Sequence, residues 1–543
     1  MHRSSHPDAG LRSVDHYLHR LPQWRYQLRQ QLIPFIRWET PHLARLQRAL
    51  RTPALDSYFA ISANLGTHTF FMIMLPILFW CGHTGLGRGM VHILAGGVFF
   101  SGWIKDLLCL PRPLSPPLQR ITMSGSAALE YGCPSTHSTN AVSVAVYALV
   151  ALHAPTSSVP PYTRLLLEVI AYAYAASIIL GRLYCGMHGF IDVALGSLLG
   201  AALALLQCGY GEAADRYLYS SGSHWGALLV VVAVCLLVRT HPEPADDCPC
   251  FDDSVAFAGV IIGCEVGNWH YAASGWAWDE PVPATVPFRL DEMGYARVVG
   301  RIVIGVLTIF LWREVMKPSL LRGLPPLFRQ IEKLGLTSPR RFFLQPSEYK
   351  RVPSHVKDDN VIPSVSEFPS LLQAMRHPRK RAVSVGPQSA ADAYETLAHR
   401  EKRRRESVSQ ADPVSPILEM SEDLPNRRTS LSMPASPSIK PTAMGYSTMS
   451  MQPILGGISP ATNGNVESYD FSKKQAEALQ PILGALSPVT REKEDAARES
   501  NEREDHEMFS RLERPRVRYD VEIVTKLIVY AGKIHVSSAT SSS

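Results

Sequence analysis

The sequence predicts an all-α fold: a polytopic membrane helical bundle of about eight spanning helices, with a long disordered region behind it. Three observations predict this. Apolar runs recur near residues 58–82, 90–104, 138–153, 164–181, 189–208, 225–238, 254–269 and 296–312, and several approach the ~20 residues a helix needs to cross a hydrocarbon core. Hydrophobic residues are 46% of the 543 and charged ones 19%, a balance open to a large soluble protein until the clustering of the runs decides for a membrane. From residue 317 the composition turns to Ser, Pro, Arg and Glu with few aromatics, too little apolar surface to offset the entropy of ordering.

Taken in order, residues 1–52 form a basic arm whose nine Arg face only Asp8, Asp15 and Glu39 and account for much of the net charge of +6. The arm has no apolar core of the kind a cleavable signal peptide carries. Between Tyr26 and Leu50 it mixes Leu32, Ile33, Phe35, Ile36, Leu43 and Leu46 with Arg, the pattern of an interfacial amphipathic helix drawn to anionic lipid; a solvated basic tail is the alternative. Residues 53–316 hold the bundle. Residues 317–518 form the disordered region, in which QPILGGISPAT from 452 returns as QPILGALSPVT from 480, and basic residues precede Ser384, Ser407 and Ser430, a pattern that suits basophilic kinases as partners. Residues 519–543 form a short apolar segment in which Lys526 and Lys533 bracket LIVYAG, either an interfacial patch or a truncated ninth helix. The nine Cys are scattered, and CPC at 248–250 is too tight for the usual zinc pair. No disulfide framework, metal site or cofactor is expected, and no nucleic-acid partner.

Three stretches carry chemistry: KDLLCLPRP at 105–113, PSTH at 134–137 and GRLYCGMHGFID at 181–192. Lys105 closes the second apolar run, Ser135 and His137 open the third, Arg182 closes the fourth, and His188 and Asp192 open the fifth. If successive spans alternate in direction, all of these converge on one membrane face. Isolated cations snorkelling at a bilayer edge do not explain that convergence.

Lys105, Arg112 and Arg182 offer a point charge and two guanidinium forks to a tetrahedral anion. Pro134 and Ser135 open a helix whose free N–H groups and positive end favour the same anion. His188 and Asp192, four apart, share a helical face on which a carboxylate can fix the imidazole tautomer. A histidine so held can attack phosphorus while His137 protonates the leaving oxygen. The set is complete for phosphoryl transfer without a metal. Competing hydrolase signatures, a Cys with Arg six positions on, DxDxT or HExxH, do not occur. Glu130 and Asp106 could meet a substrate ammonium, although an ordinary loop or interfacial acid is the plainer reading.

Lys105, six residues, Arg112-Pro113; then Pro134-Ser135-x-His137; then Arg182, five residues, His188, three residues, Asp192: this order and spacing resembles the signature of the type 2 phosphatidic acid phosphatase superfamily, lipid phosphatases related to vanadium haloperoxidases. The resemblance implies that His188 is a nucleophile forming a phosphohistidine, that Asp192 orients it, that His137 is the acid, and that Lys105, Arg112, Ser135, Thr136 and Arg182 line the phosphate site. Thr136 stands where the family often has Gly, and Gly181 where Ser often precedes the Arg, so the phosphate contacts made at those two positions are in doubt. Within the superfamily, FFSGWIKDLLCLPRPLSPPLQRI, GRLYCGMHGFID and CPCFDDSVAFAGV are similar to the fungal sphingoid long-chain base 1-phosphate phosphatases. That likeness implies a dihydrosphingosine or phytosphingosine 1-phosphate substrate and an endoplasmic reticulum membrane with the catalytic face lumenal. The Lys and Arg bias points the other way, placing the arm, the catalytic face and the tail on the cytosolic side. Spacing alone does not select among lipid phosphates, so phosphatidate or dolichyl pyrophosphate remain alternatives. A transporter would hold its charges mid-span, and a non-catalytic scaffold would tolerate losing His188 or Asp192.

Overall fold

The structure, a computed structural model, describes residues 9–12, 14–66, 68–115, 117–121, 130–155, 159–220, 224–246, 248–335, 343–350, 352 and 519–539. These residues are mainly helical, with two isolated β-bridges and no strand ladder among them. The arm forms α1 (Val14–Arg20) and α2 (Gln23–Leu50). The first apolar run breaks into α3 (Pro53–Ser62), a 3₁₀ turn (Ala63–Gly66) and α4 (His68–Trp80). Thr52 starts α3 by accepting from the Leu55 N–H, with Pro53 in the first turn, where its missing donor costs nothing.

The remaining runs form α5 (Thr84–Leu108), α6 (Thr136–His153), α7 (Pro161–Tyr184), α8 (Phe190–Ser220), α9 (His224–Thr240), α10 (Cys250–Ala273) and α11 (Leu290–Lys333). By length and composition four of these, α5, α7, α8 and α11, are long and apolar enough to cross a membrane, and α9 is apolar but shorter. The other expected spans fall short for visible reasons: α4 has 13 residues, α6 opens on Thr, His, Ser, Thr and Asn, and α10 carries Asp252, Asp253 and Glu265. α11 also runs past residue 316, where composition put the end of the bundle. Beyond it Arg329 donates to the carbonyls of Pro346, Tyr349 and Lys350.

The last described helix, α12 (Val521–Ala539), packs on α10 and α11. A Cβ at Gly259 or Gly263 of α10 would collide with the backbone of Leu527 or Ala531, so the two helices meet main chain to main chain. Trp312 donates from Nε1 to the Val529 carbonyl at 3.1 Å, and Lys526 pairs with Asp252 at 3.0 Å. Through these contacts the C-terminal helix packs against α10 and α11. Cys248 and Cys250 are joined as a disulfide, a pairing the cysteine spacing did not suggest. Ser384, Ser407, Ser430 and the repeated QPILG segments lie outside the described residues.

Candidate active site

The carboxyl ends of α5 and α7 and the amino ends of α6 and α8 come together, and with them the residues singled out from the sequence. α6 and α8 are drawn close by Gly196 and Gly200, where a Cβ would strike the backbone of Ser135 or Thr139. The Ser135 N–H donates to the Asp192 carbonyl at 3.0 Å, tying the two helix starts together. Ser135 Oγ caps α6, accepting from the Ser138 N–H at 3.3 Å and its hydroxyl at 2.9 Å. Lys105 lies in the last turn of α5, which stops at Cys109 in the left-handed region, φ 50°, before Pro111 and Pro113 bar its continuation.

Lys105, Arg112 and Arg182 are 3%, 5% and 6% exposed, an accumulation of buried positive charge that needs an anion. Arg112 is held on all sides: Nε donates to the Glu130 carbonyl at 3.1 Å, one terminal nitrogen to the Met187 carbonyl at 2.8 Å, the other to the Glu130 carboxylate at 3.1 Å. Arg182 Nε is buried with no hydrogen-bond partner among the described residues. The Thr136 hydroxyl shares a hydrogen bond with Ser101 Oγ on α5, at 2.8 Å. At Gly181 any side chain would press on the Phe59 ring, which explains the glycine there.

His188, 2% exposed, has its Nδ1 2.9 Å from the Gly132 carbonyl and its Nε2 3.0 Å from an Arg112 nitrogen. A carbonyl can only accept and a guanidinium only donate. Both neighbours therefore fix the same tautomer, with the proton on Nδ1 and the lone pair on Nε2. The Asp192 carboxylate stands 3.7 Å from Nδ1, and its close partner is the Gly189 N–H at 2.9 Å. The residue expected to set the tautomer thus stands behind a backbone carbonyl that does so. Burial, followed by the charges of Arg112, Lys105 and Arg182, holds the imidazole well below its ordinary pKa. His137 is half-buried in the first turn of α6 and faces Gly66.

Four further residues take part, of which the sequence singled out Glu130 alone, and that as an acid for a substrate ammonium or an ordinary loop acid rather than as a partner of the phosphate-site cations. Glu130 bridges Lys105 and Arg112. Arg120, 1% exposed, adds a further buried cation and donates to the Pro113 carbonyl. From α2, Glu39 accepts from the Ile191 N–H at 3.2 Å, and Gln47 spans the Gln119 and Tyr184 carbonyls at 2.7 and 2.9 Å. Asp106, by contrast, is fully buried and faces His241 at 3.8 Å. Among the described residues His92, Cys264 and Glu265 form one grouping of metal-ligating types, and Asp106 lies against Cys248 and Cys250, whose sulfurs are engaged in the disulfide. Neither contains a residue of the phosphate site.

Comparison with known proteins bears on the family. Residues 87–212 match the PAP2 superfamily. A dihydrosphingosine 1-phosphate phosphatase of Schizosaccharomyces pombe is 38% identical over 342 residues, covering 62% of this chain and 80% of the relative. One from Saccharomyces cerevisiae is 34% identical over 313 residues, covering 58% and 75%. Human sphingosine-1-phosphate phosphatase 2 is 28% identical over 281 residues, covering 51% and 68%. No solved structure matches. The chain belongs to the PAP2 superfamily, in the branch that holds the dihydrosphingosine 1-phosphate phosphatases, and it is a membrane lipid phosphatase, a phosphoric monoester hydrolase.

Proposed function

We propose that this phosphatase acts on sphingoid long-chain base 1-phosphates, dihydrosphingosine and phytosphingosine 1-phosphate, through a phosphohistidine on His188 and without a metal ion. The observation that carries the mechanism is the tautomer of His188: its lone pair sits on Nε2, directed into the space shared with Arg112. The substrate class rests on what the similar fungal proteins are named for.

Phosphate enters among Lys105, Arg112, Arg182 and the positive amino end of α6, all of which are in place before any charge develops. Arg112 transfers its donor from Nε2 to a phosphoryl oxygen, freeing the lone pair. Nε2 attacks phosphorus in line, the bond from phosphorus to the lipid oxygen breaks, and His137 gives that oxygen its proton. His137, now neutral, takes a proton from water as the water oxygen attacks phosphorus. The N–P bond breaks, inorganic phosphate leaves, and His188 regains its lone pair. The cations do the work that a metal ion does elsewhere.

The purified full-length chain should release phosphate from long-chain base 1-phosphates faster than from phosphatidate or dolichyl pyrophosphate. Excess EDTA should leave this activity intact, vanadate should inhibit it, and His188→Ala should abolish it without loss of membrane insertion. Preference for phosphatidate would overturn the substrate class, and strict dependence on added magnesium would overturn the mechanism. For location, the reading takes the endoplasmic reticulum with the catalytic end lumenal. A tag placed ahead of Met1, on the arm that Gly10 bonds to Asp246, should then be protected from protease in sealed microsomes, and cleavage there would reverse the orientation.

A further inference from the structure

The phosphate site already holds a carboxylate. Glu130 Oε2 lies 3.3 Å from Lys105 Nζ and 3.1 Å from an Arg112 terminal nitrogen. Its side chain is 29% exposed against 4% and 5% for the two cations, so it reaches them from the open side of the site. A carboxylate and a phosphate use the same donors on a guanidinium, and two anions on one set of donors repel. When phosphate takes Lys105 and Arg112, the Glu130 carboxylate must give way. Its backbone cannot go far: the Glu130 carbonyl is bonded to Arg112 Nε, and Tyr131 beside it is fully buried with its hydroxyl on Asp246 at 3.1 Å. The displaced carboxylate therefore stays next to the bound phosphate, where it repels the dianion unless the substrate brings a positive charge of its own.

A sphingoid base 1-phosphate brings one. Its ammonium sits on the carbon adjacent to the phosphorylated carbon, within reach of a carboxylate that has just been pushed off the phosphate donors. The other acids nearby are committed: Asp192 to the Gly189 N–H, Glu39 to the Ile191 N–H, and Asp106 opposite His241. We propose that Glu130 is the specificity residue of this site, a carboxylate that occupies the phosphate donors when the site is empty and pairs with the substrate ammonium once phosphate has displaced it. The proposal rests on the substrate class put forward above.

The test compares wild-type and Glu130→Gln enzyme on dihydrosphingosine 1-phosphate and on its N-acetyl derivative, which keeps the phosphate and loses the ammonium. In Glu130→Gln, kcat/KM for the amine substrate should fall about tenfold, the size of one hydrogen bond to a charged group. For the N-acetyl substrate it should rise, because no carboxylate has to be displaced. Vanadate, which has no ammonium, should inhibit the variant more tightly. Glu130→Asp keeps the charge and should recover part of the preference, which a folding defect would not. An equal fall on both substrates, or an unchanged preference in an enzyme that does hydrolyse the sphingoid substrate, would overturn the role of Glu130 alone. Wild-type enzyme that hydrolysed phosphatidate and neither sphingoid compound would overturn the substrate class instead.

Discussion

Asp192→Asn separates two ways in which a carboxylate can serve His188. Were Asp192 the group that fixes the tautomer, the amide could present an N–H to Nδ1, put the proton on the wrong ring nitrogen and cost roughly 10⁴ in kcat, as in a serine-protease triad. The Gly132 carbonyl holds that proton at 2.9 Å, and the carboxylate stands 3.7 Å away. What Asn removes is charge. When Nε2 bonds phosphorus while Nδ1 keeps its proton, the ring becomes cationic. A full negative charge at 3.7 Å attracts it by about 4 kcal/mol at an effective dielectric of about 20. Some of that attraction is spread over the neighbouring cations, leaving a loss of about 2.7–4 kcal/mol, or a hundred- to a thousandfold in kcat. The Asn oxygen can still accept from the Gly189 N–H, so the start of α8 keeps its bond. The assay is phosphate release per inserted molecule, with kcat and KM determined separately; kcat should fall by that factor with KM little changed. A fall below tenfold would refute the charge role, and one of 10⁴ or more would refute the assignment of the tautomer to Gly132.

Two further outcomes follow from the same geometry. Excising residues 353–510, which spares the Leu344–Tyr519 bridge and α12, should leave turnover within a few-fold while removing any phosphorylation at Ser384, Ser407 and Ser430; a hundredfold loss, ~2.7 kcal/mol in activation free energy, would make the excised region part of the site. His188, held below its ordinary pKa when folded, binds a proton less readily than in the unfolded chain, so its contribution to stability is full above the unfolded value of ~6.5 and lost as pH falls toward the folded one. Thermal unfolding should record that decline below about pH 6.5 in wild-type protein and a shallower one in His188→Asn, and identical slopes would refute it.

The convergence of Lys105, Ser135, His137, Arg182, His188 and Asp192 was legible because it needs only a count of apolar runs and their alternating direction. That inference tolerates errors in the nature of each run, provided the number of direction changes between sites is kept, and so it survives the breaking of the first run into α3 and α4. The Gly132 carbonyl was not legible, since a backbone acceptor leaves no mark on residue type. Glu130 reads most plainly as a loop acid, and nothing in the sequence marks Arg120, because their partners are fixed by how the ends of four helices meet, not by spacing. Hydropathy failed at α12 for a related reason: Lys526 looks like an interfacial charge until Asp252, far away in sequence, is seen 3.0 Å from it.

The basic arm shows most clearly what charge counting leaves out. A helix ends with carbonyls that have no partner and with partial negative charge. The helix that carries Lys105 ends beneath α2, where Arg25 donates to the carbonyls of Asp106, Leu107 and Glu243, and Arg29 to those of Cys109 and Gly10. Arg25 and Arg29 are 7% and 3% exposed, so neither is available to a lipid surface, and neither is a solvated charge of the kind a basic tail would carry. Farther along the same helix, Glu39 holds the start of α8 beside His188, and Gln47 holds the end of α7 together with the Gln119 segment beside Arg120. Each end that contributes to the phosphate site, apart from the start of α6, is thus bonded to α2, and the start of α6 is bonded in turn to Asp192. The arm fixes the spacing of the cations against their mutual repulsion, which is why its arginines belong to the construction of the site as much as to the charge of the surface.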